Sequence, residues 1–411
     1  MSSPAGRIAS FAEAWKILTS DPCLLSWVKG YKIPLIKTPL QVNRPLTINL
    51  SAPELSTMNQ LIHELLQKRA IRPCTPCPDQ FLSPIFLEPK PDGKFRLILN
   101  LKKFNTFVAK EHFKLEDFKV AAKLISPGCF LAKLDLKDAY YLVPVHEQYR
   151  KYLRFESNGI LYEFNCLPFG LCSAPYVFTK LLRPVVSYLR ENGFRSVIYL
   201  DDFLLLGKSK EDCLNNVTAT CAILSALGFV FSGQKCHFPP TNICVFLGFQ
   251  FDSIKMLLSL PFKKRCAIAA LLKRMEKLKR CKIRQFAQFV GSLVAICPAI
   301  RYSWSHVKNF ERQKMLALKS CGNNFNSTMK LALHAGDLAW WKEHIWTGHN
   351  ALLVPPFYLE IFSDASTVGW GAACNNKTIR GSWSFSEKIL HINQLELLAA
   401  LLGLQYFAKN L

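Results

Sequence analysis

The chain has 411 residues, half of them hydrophobic, which is enough for two or three domains with buried cores and excludes a largely disordered protein. Its 52 Lys and Arg against 29 Asp and Glu give a net charge of +23, which indicates a nucleic-acid partner and argues against an ordinary metabolic enzyme. The fifteen cysteines show no disulfide-like spacing. Without a signal-peptide pattern or an apolar run of about 18 residues, we expect an intracellular protein of the cytoplasm or nucleus with no membrane partner.

The first part of the chain predicts an appended segment, a helix and a basic hairpin. Residues 1–45 are expected to form an N-terminal extension whose short amphipathic helix docks on the following domain. Apolar residues at helical spacing predict a helix over 53–70. A Pro-Asp-Gly turn between two apolar arms predicts a β-hairpin over 85–99. Lys90 and Arg96 make this hairpin suited to gripping a phosphate chain, although a hairpin with merely solvated bases is the alternative.

The next part places a carboxylate on a strand. Alternating apolar residues predict a strand over 130–136, with Asp135 on the face opposite its apolar side chains. An Asn-Gly turn then predicts a hairpin over 152–164. A helix is predicted to begin shortly after Gly170, a glycine that allows the backbone to approach a ligand closely.

A second, stronger hairpin signal carries two adjacent carboxylates. Residues 197–207 are two apolar runs that meet at a short polar break, so Asp201 and Asp202 are expected at the tip of a largely buried β-ribbon. Burial and mutual repulsion would protonate at least one of them unless a cation binds, and a divalent metal removes that difficulty. The alternative is a polar hairpin turn, since Asp is a common turn residue.

Six motifs in this order resemble the successive fingers and palm motifs of reverse transcriptases, over roughly residues 45 to 255. They are the basic hairpin, Leu134-Asp-Leu-Lys-Asp-Ala-Tyr140, Leu167-Pro-Phe-Gly170, Tyr199-Leu-Asp-Asp202, Leu227-Gly-Phe229 with Lys235, and Phe246-Leu-Gly-Phe249. The resemblance implies an α+β right-hand polymerase of fingers, palm and thumb. It further implies an RNA-directed DNA polymerase of a retrotransposon, which adds dNMPs to a primer 3′-hydroxyl and has dNTPs and a primed RNA or DNA template as partners.

The resemblance also implies a two-metal site. Asp135 and Asp201 would hold two Mg²⁺ ions, with Mn²⁺ as an alternative, Asp202 would complete the carboxylate cluster, and the backbone carbonyl of Leu136 would add a ligand. Such ions activate the primer hydroxyl and neutralise the triphosphate. Lys235 is implied as a general acid for the pyrophosphate.

Other residues are implied by the same resemblance to bind the incoming nucleotide. They are Lys90 and Arg96 as triphosphate clamps, Tyr140 as the gate beneath the sugar, Phe169 and Gly170 as the nucleotide pocket, and Asp138 beside them. For Tyr140 and Phe169, an ordinary role as core aromatics is the alternative.

Beyond the palm motifs the chain is strongly basic. Residues 260–284 contain ten Lys and Arg against a single acid, Glu276, and apolar residues at helical spacing predict one amphipathic basic helix there. A second helix is predicted over 286–294. In a polymerase this pair is interpreted as the thumb that follows the primer–template backbone, and a solvated charged face is the alternative.

The last residues resemble the opening of a ribonuclease H domain. A strand ending at Asp364, two neighbouring strands and a helix with Glu396 carry that resemblance, and the two acids would form a partial site. We expect no ribonuclease H activity, because the remaining carboxylates of that family would lie beyond Leu411. With Asp337-Leu-Ala-Trp-Trp341 and the segment from Gly6 to Asp21, the chain most resembles the polyprotein region of DIRS-type retrotransposons.

These patterns predict four segments. They are an N-terminal extension (1–45), fingers and palm (46–255), thumb and connection (256–345), and a partial, truncated ribonuclease H-like α/β domain (346–411). Two rival functions stay open: a domesticated or decayed derivative that binds nucleic acid without synthesis, and an RNA-dependent RNA polymerase. The template, the priming mechanism and the oligomeric state cannot be read from these residues.

Overall fold

The structure is a computed structural model that describes residues 5–45, 51–89, 93–353 and 358–409. The predicted clamp residue Lys90 therefore lies outside the described residues. The chain divides into two compact units, Met1–Leu352 and Leu353–Leu411. All fifteen cysteines are free thiols. Within the described ranges, no helix combines the length and apolarity needed to cross a membrane.

The first unit begins with helices that belong to its core. They are a 3₁₀ turn at Arg7–Phe11, α1 (Ala12–Leu18), α2 (Pro22–Gly30) and α3 (Ala52–Gln67). Helix α2 begins where the Asp21 carboxylate accepts the backbone N–H of Cys23 at 2.8 Å, which satisfies an otherwise unpaired helix donor. Trp15 of α1 is completely buried and donates from Nε1 to the carbonyl of Leu227, so its predicted docking on the following domain is confirmed. Ile17 of the same helix, which was also expected to dock, is 90% exposed, so that part of the prediction is wrong.

The strands that follow include the predicted basic hairpin. The elements are β1 (Ile71–Pro73), β2 (Ile85–Pro89), β3 (Phe95–Leu99) and α4 (Phe118–Leu124). Strands β2 and β3 pair antiparallel from Ile85 opposite Leu99 to Pro89 opposite Phe95. The strand pairing predicted for residues 85–99 is therefore confirmed, with Arg96 on the second strand, whereas Pro91 and Asp92 of the predicted turn lie outside the described residues.

A four-stranded antiparallel sheet forms the centre of the unit. The elements here are β4 (Phe130–Asp135), α5 (Glu147–Arg150), β5 (Arg154–Ser157), β6 (Ile160–Phe164), α6 (Ala174–Glu191), β7 (Arg195–Tyr199), β8 (Asp202–Gly207), α7 (Lys210–Ala226) and β9 (His237–Thr241). The strand order is β7-β8-β4-β9, and helices α6 and α7 pack on this sheet. The apolar face of α6, including Val177, Phe178 and Leu181, is fully buried. Burial of such a face supplies most of the stability of a helix that packs on a sheet.

A second core lies in the basic part of the first unit. Its elements are β10 (Ile243–Phe246), β11 (Phe249–Asp252), β12 (Leu257–Ser259), α8 (Phe262–Glu276), β13 (Arg280–Lys282), α9 (Ile283–Val294), α10 (Lys308–Ser320), β14 (Thr328–Lys330), α11 (Ala335–Thr347) and β15 (His349–Ala351). Strands β10, β11, β12 and β15 form one antiparallel sheet in that order.

The prediction of one basic helix over 260–284 is wrong. Helix α8 ends at Glu276, and Arg280–Lys282 forms strand β13, which pairs with β14. In that register Cys281 lies opposite Met329, and both side chains are buried. Burial of this pair by a strand far along the chain outweighs the local helical pattern, so the ten cations are divided between a helix and the segment after it.

The second unit is a small α/β arrangement. Strands β16 (Phe362–Ala365), β17 (Gly369–Cys374) and β18 (Lys377–Ser382) form an antiparallel sheet in chain order, followed by α12 (Phe385–Lys388) and α13 (Ile392–Phe407). Helix α13 packs on β16 and β17 and buries Leu395 and Ala399. The strand with Asp364 and the helix with Glu396 thus form as the sequence predicts.

Candidate active site

The carboxylate pair lies at the connection between β7 and β8. Tyr199 pairs with Asp202, so Leu200 and Asp201 form a two-residue hairpin loop, as the apolar runs predict. Leu200 has a φ of +55°, a left-handed conformation that costs a bulky L-residue about 1–2 kcal/mol. The backbone N–H of Leu136 donates to the carbonyl of Asp201 at 2.9 Å and holds the loop against the neighbouring strand. Strain retained in this way is typical of functional sites.

Asp135 reaches the same place from strand β4. It is the last residue of β4 and lies opposite Asp202 in the antiparallel register, so the two side chains share a face of the sheet. Burial raises the pKa of Asp135, the ammonium of Lys235 opposes this, and the charges of Asp202 and Asp201 raise the pKa further. Three carboxylates therefore interact electrostatically at one end of the sheet.

The pKa of Asp201 is also raised. Burial is the largest cause of its raised pKa, and the charge of Asp202 adds to it, whereas its own backbone N–H, Lys235 and Arg96 oppose the shift. Asp202 is an ion-pair partner of Lys133, with Oδ1 3.0 Å from Nζ. Burial and repulsion thus disfavour the charged forms of Asp135 and Asp201, so a site made of these two carboxylates gains stability when a cation binds.

Lys235 and Cys236 contact Asp135 from a segment a hundred residues later in the chain. The ammonium of Lys235 lies 3.5 Å from Oδ2 of Asp135, and its side chain is 66% exposed, so it is free to move toward a bound anion. The Sγ of Cys236 accepts the backbone N–H of Asp135 at 3.3 Å. The backbone N–H of Ser232 also donates to the carbonyl of Asp135 at 2.8 Å. The backbone of Asp135 is therefore held in place by Ser232 and Cys236.

A cavity of about 230 Å³ opens in front of these groups. It brings together seven of the residues that the sequence predicts for the site, namely Arg96, Asp135, Leu136, Asp138, Phe169, Asp201 and Lys235. Its lining combines cations with carboxylates, the two kinds of group needed by a phosphate ester that reacts through bound metal ions. Among the described residues, Asp202, Tyr140 and Gly170 do not line it.

Phe169 lines the cavity, whereas the adjacent Gly170 does not. The guanidinium of Arg96 lies over the Phe169 ring, with Cζ 4.8 Å from the centroid, a cation–π contact that orients both side chains. Gly170 has a φ of +104°, and a Cβ there would lie 2.6 Å from the carbonyl oxygen of Leu99. Asn105, which the sequence reasoning missed, donates to the carbonyl of Gly170 at 2.9 Å and fixes this close approach.

Tyr140 is packed among aromatic rings behind the cavity wall. Its ring centroid lies 5.2 Å from that of Phe169 and 5.7 Å from that of Phe178. Burial, with a smaller contribution from the charge of Asp201, raises the pKa of its phenol, so it stays neutral. Its role as a sugar gate stays a prediction.

Asp138 has a partner that the sequence reasoning also missed. Oδ1 of Asp138 accepts from Nζ of Lys68, the residue after α3, at 2.8 Å. Asp138 has a φ of +53°, and its Oδ2 is buried without a hydrogen-bond partner among the described residues. Both residues line the cavity, so part of its lining is an ion pair that joins the end of α3 to the residues just after β4.

Oxygen ligands for a metal are available here in a number that suits Mg²⁺. Within the described ranges, no group of three or more His, Cys, Asp or Glu side chains is arranged to hold a metal by itself. Mg²⁺ is usually bound by one or two carboxylates together with substrate phosphates, which is the donor set that Asp135 and Asp201 offer beside an open cavity. The residues present therefore fit the ion that the resemblance implies.

The partial site predicted in the second unit is divided between two elements. Asp364 lies on β16 and lines a cavity of about 830 Å³ on that sheet. Glu396 lies on α13, which packs against β16. This unit thus carries its two predicted acids on a strand and on the helix that covers it.

Comparisons with known proteins identify the central part of the chain. Residues 88–251 match the family model described as "Reverse transcriptase (RNA-dependent DNA polymerase)". The retrovirus-related Pol polyprotein from transposon opus of Drosophila melanogaster is 28% identical over 46% of this chain and 19% of its own length. The transposon Tf2-3 polyprotein of Schizosaccharomyces pombe is 24% identical over 54% of this chain and 16% of its own length. The chain thus spans less than a fifth of the length of these relatives.

Solved structures show the same fold. The foamy viral protease-reverse transcriptase dRH in complex with double-stranded DNA matches with a TM-score of 0.63 and 15% identity, over 96% of this chain and 71% of that one. The foamy viral protease-reverse transcriptase in complex with an RNA/DNA hybrid gives the same TM-score over 90% of this chain and 49% of that one. Together with the family match, this gives the chain a polymerase fold and a reverse transcriptase domain of the kind found in retrotransposon polyproteins.

Proposed function

We propose that this chain is the RNA-directed DNA polymerase of a retrotransposon and adds dNMPs to the 3′-hydroxyl of a primer on an RNA or DNA template. The observation that carries the proposal is the meeting of Asp135 and Asp201 at one cavity that also receives Arg96 and Lys235. The family match over residues 88–251 supports the same activity. The net charge of +23 is consistent with a nucleic-acid partner.

Asp135, Asp201 and the carbonyl oxygen of Leu136 would hold two Mg²⁺ ions, and Asp202 would contribute its charge beside them. When bound, the ions lower the pKa of the primer hydroxyl and stabilise both oxygens of an in-line displacement at the α-phosphate. Asp202 pairs with Lys133, which limits its reach toward the cavity, so we assign it the role of adjusting the charge of the cluster. Mn²⁺ is expected to substitute, since it takes the same oxygen ligands.

Cations of the chain would hold the triphosphate. Arg96 lies above Phe169 at the cavity wall, where a guanidinium can donate two hydrogen bonds to phosphate oxygens. Lys90, on the same predicted hairpin, is proposed as a second clamp. The Lys235 side chain is 66% exposed and its ammonium lies 3.5 Å from Asp135, a position from which it could reach the departing pyrophosphate and give it a proton.

The nucleotide base and sugar would meet the remaining predicted residues. Phe169 offers an aromatic face, and Gly170 lets the backbone lie against Leu99 without a side chain between them. Tyr140 is proposed as the residue that excludes a 2′-hydroxyl, acting from behind Phe169. Asp138 is proposed to act beside the substrate as part of the cavity lining, with Oδ1 held by Lys68.

The same proposal assigns a type of element and a function to each segment of the chain. The segment that begins at Gly6 and the Asp337–Trp341 run support a DIRS-type element. The sheet and helix of the second unit support a ribonuclease H-like start in which Asp364 and Glu396 are metal ligands. Helices α8 and α9 are proposed as the thumb, and residues 1–45, 46–255, 256–345 and 346–411 as the functional segments.

The polymerase proposal is tested by extension of a labelled DNA primer on an RNA template, with dNTPs and rNTPs offered in separate reactions. We expect extension with dNTPs and Mg²⁺, and its loss in Asp201→Asn, which keeps the shape of the side chain but weakens cation binding. Asp79→Asn, the same change at an exposed turn, is the matched control. Binding without extension would indicate a decayed derivative, and preference for rNTPs would indicate an RNA polymerase.

A further inference from the structure

The N-terminal segment, defined here as residues 5–33, is not an appendage. Its Ile8, Trp15 and Val28 are completely buried, and Tyr31 is nearly so. The backbone N–H of Gly6 donates to the carbonyl of Tyr141 at 2.8 Å, which ties the beginning of the segment to the stretch just after the Asp135 motif. The segment therefore contributes to the same core as the candidate active site.

Two side-chain donors of this segment converge on one turn, formed by Leu227, Gly228 and Phe229 after α7. Nε1 of Trp15 donates to the carbonyl of Leu227 at 3.1 Å, and Nε of Arg7 donates to the carbonyl of Gly228 at 3.1 Å. These donors satisfy two carbonyls at the C-terminal end of a helix, where backbone acceptors have no partner within the helix.

Apolar contacts close the same turn. The rings of Trp15 and Phe229 meet edge-on, with centroids 6.0 Å apart. Gly228 has a φ of +89°, and a Cβ there would lie 2.6 Å from Cδ2 of Phe11. The turn is thus held from one side by an indole, a phenyl ring and a guanidinium of the N-terminal segment.

The residues that follow the turn form backbone hydrogen bonds with the end of β4 and the residues just after it. The carbonyl of Val230 accepts the N–H of Lys137 at 2.7 Å, and Phe231 forms a β-bridge with Leu136. Ser232 and Cys236 then bond to the backbone of Asp135, and the side chain of Lys235 reaches its carboxylate. A shift of the turn would therefore move Lys235 and the backbone on which Asp135 depends.

We propose that Arg7, Phe11 and Trp15 are positioning residues for catalysis, which act on Asp135 and Lys235 through the 227–229 turn. This inference rests on the proposed polymerase function. The physical reason is that in-line attack tolerates little misplacement: an error of about 1 Å can cost roughly a hundredfold in rate. A segment that precedes every polymerase motif in the sequence would thus set the geometry of the reaction.

The test is single-nucleotide incorporation measured in the first turnover, on full-length protein with saturating primer–template. The burst amplitude reports the fraction of correctly folded enzyme, and the burst rate reports the chemistry of that fraction. Trp15→Phe removes the indole donor but keeps a buried ring, and Arg7→Met removes the second donor. For both we expect a rate about ten- to a hundredfold lower, with the amplitude and the dNTP concentration for half-maximal rate retained.

Trp27→Leu is the matched control. Trp27 lies in the same segment but packs against Tyr31 and Tyr176 rather than against the turn. It should lower the amplitude through lost stability while the rate of the remaining active enzyme stays within about twofold of wild type.

A second measurement tests whether Trp15 affects the reaction rate through Lys235. In the Lys235→Met background, Trp15→Phe should lower the rate much less than it does in wild type, because coupled residues are not additive. Full additivity would overturn the proposal, as would variants at Arg7 and Trp15 that lose amplitude but keep the wild-type rate. A wild-type chain that does not extend primers would instead overturn the proposed function, which this design separates from the positioning role.

Discussion

Replacing Gly170 by alanine tests whether its close approach to Leu99, next to the cavity residue Phe169, is needed for nucleotide binding. The new Cβ would lie 2.6 Å from the carbonyl oxygen of Leu99, so the two backbones must separate by about 0.8 Å to reach an ordinary contact of 3.4 Å. Neither partner is the end of a flexible side chain. The hydrogen bond from Asn105 to the Gly170 carbonyl, now 2.9 Å long, would be stretched by this movement.

The expected magnitude has two parts. A left-handed φ costs a residue with a Cβ about 1–2 kcal/mol, and the lost hydrogen bond adds about 1 kcal/mol. Unfolding by denaturant should therefore show a free energy lower by about 2–3 kcal/mol. Because Phe169 is the adjacent residue and lines the cavity, its displacement should also raise the KM for dNTP by about tenfold, equivalent to about 1.4 kcal/mol.

Gly193→Ala is the control for backbone strain alone. Gly193 also has a left-handed φ, +82°, but nothing lies within 4 Å of the position where its Cβ would be. It should lose about 1–2 kcal/mol of stability and keep the wild-type KM. Equal destabilisation by the two variants, or an unchanged KM for dNTP in Gly170→Ala, would refute the reasoning about the cavity wall.

Three further predictions address the sugar, the nucleic acid and stability. Tyr140→Val should raise rNMP relative to dNMP incorporation in single-nucleotide assays, and an unchanged ratio would return Tyr140 to a core role. Changing Lys273, Arg274 and Lys277 together to Gln should make duplex DNA binding less dependent on salt. The slope of the logarithm of the binding constant against the logarithm of the salt concentration should become shallower by about 0.9 for each lost phosphate contact, whereas a wild-type slope would place these side chains away from the duplex. Glu163→Gln should lower the unfolding free energy by about 3–5 kcal/mol in denaturant titrations, because it breaks a buried ion pair with two arginines; a loss below 1 kcal/mol would contradict this.

Because of Glu163, we also expect the free energy of unfolding to decrease at acidic pH. Burial raises the pKa of Glu163, but the hydrogen bonds from Arg154 and Arg72 outweigh it and leave the pKa below the ordinary value. A carboxyl group whose pKa is lowered by folding stabilises the native state above its unfolded pKa, and this stabilisation is lost as pH falls through the folded pKa. Melting temperature should therefore fall in acid more steeply for wild type than for Glu163→Gln.

The carboxylates could be predicted from sequence because their signals are local. Alternation places Asp135 on a strand, opposite its apolar side chains, and two apolar runs around a short break place Asp201 and Asp202 on a hairpin. The partners of these groups carry no such signal. Lys68 lies 70 residues from Asp138, and the Cys236 thiol lies 101 residues from Asp135, so their contacts depend on how distant segments pack.

The same limit explains the error in the basic segment. Apolar residues at helical spacing from Ile268 to Leu278 lead to the prediction of a helix over 260–284, but Arg280–Lys282 pairs with a strand that begins at Thr328. Local periodicity cannot report a partner so far along the chain, and burial of Cys281 against Met329 decides the outcome. Asn105 was missed for a related reason, since its amide donates to the carbonyl of Gly170, 65 residues away.

The contact between Trp15 and the carbonyl of Leu227 also sets an order of events during translation. The two residues are 212 positions apart. At a ribosomal rate of about 5–20 residues per second, roughly 10–40 s pass between the synthesis of Trp15 and that of its partner. Until then the indole and the buried side chains around it have no native surface to cover them, and they are available to chaperones. The nascent chain thus carries its first helices as an unfinished part of a core that only later synthesis completes.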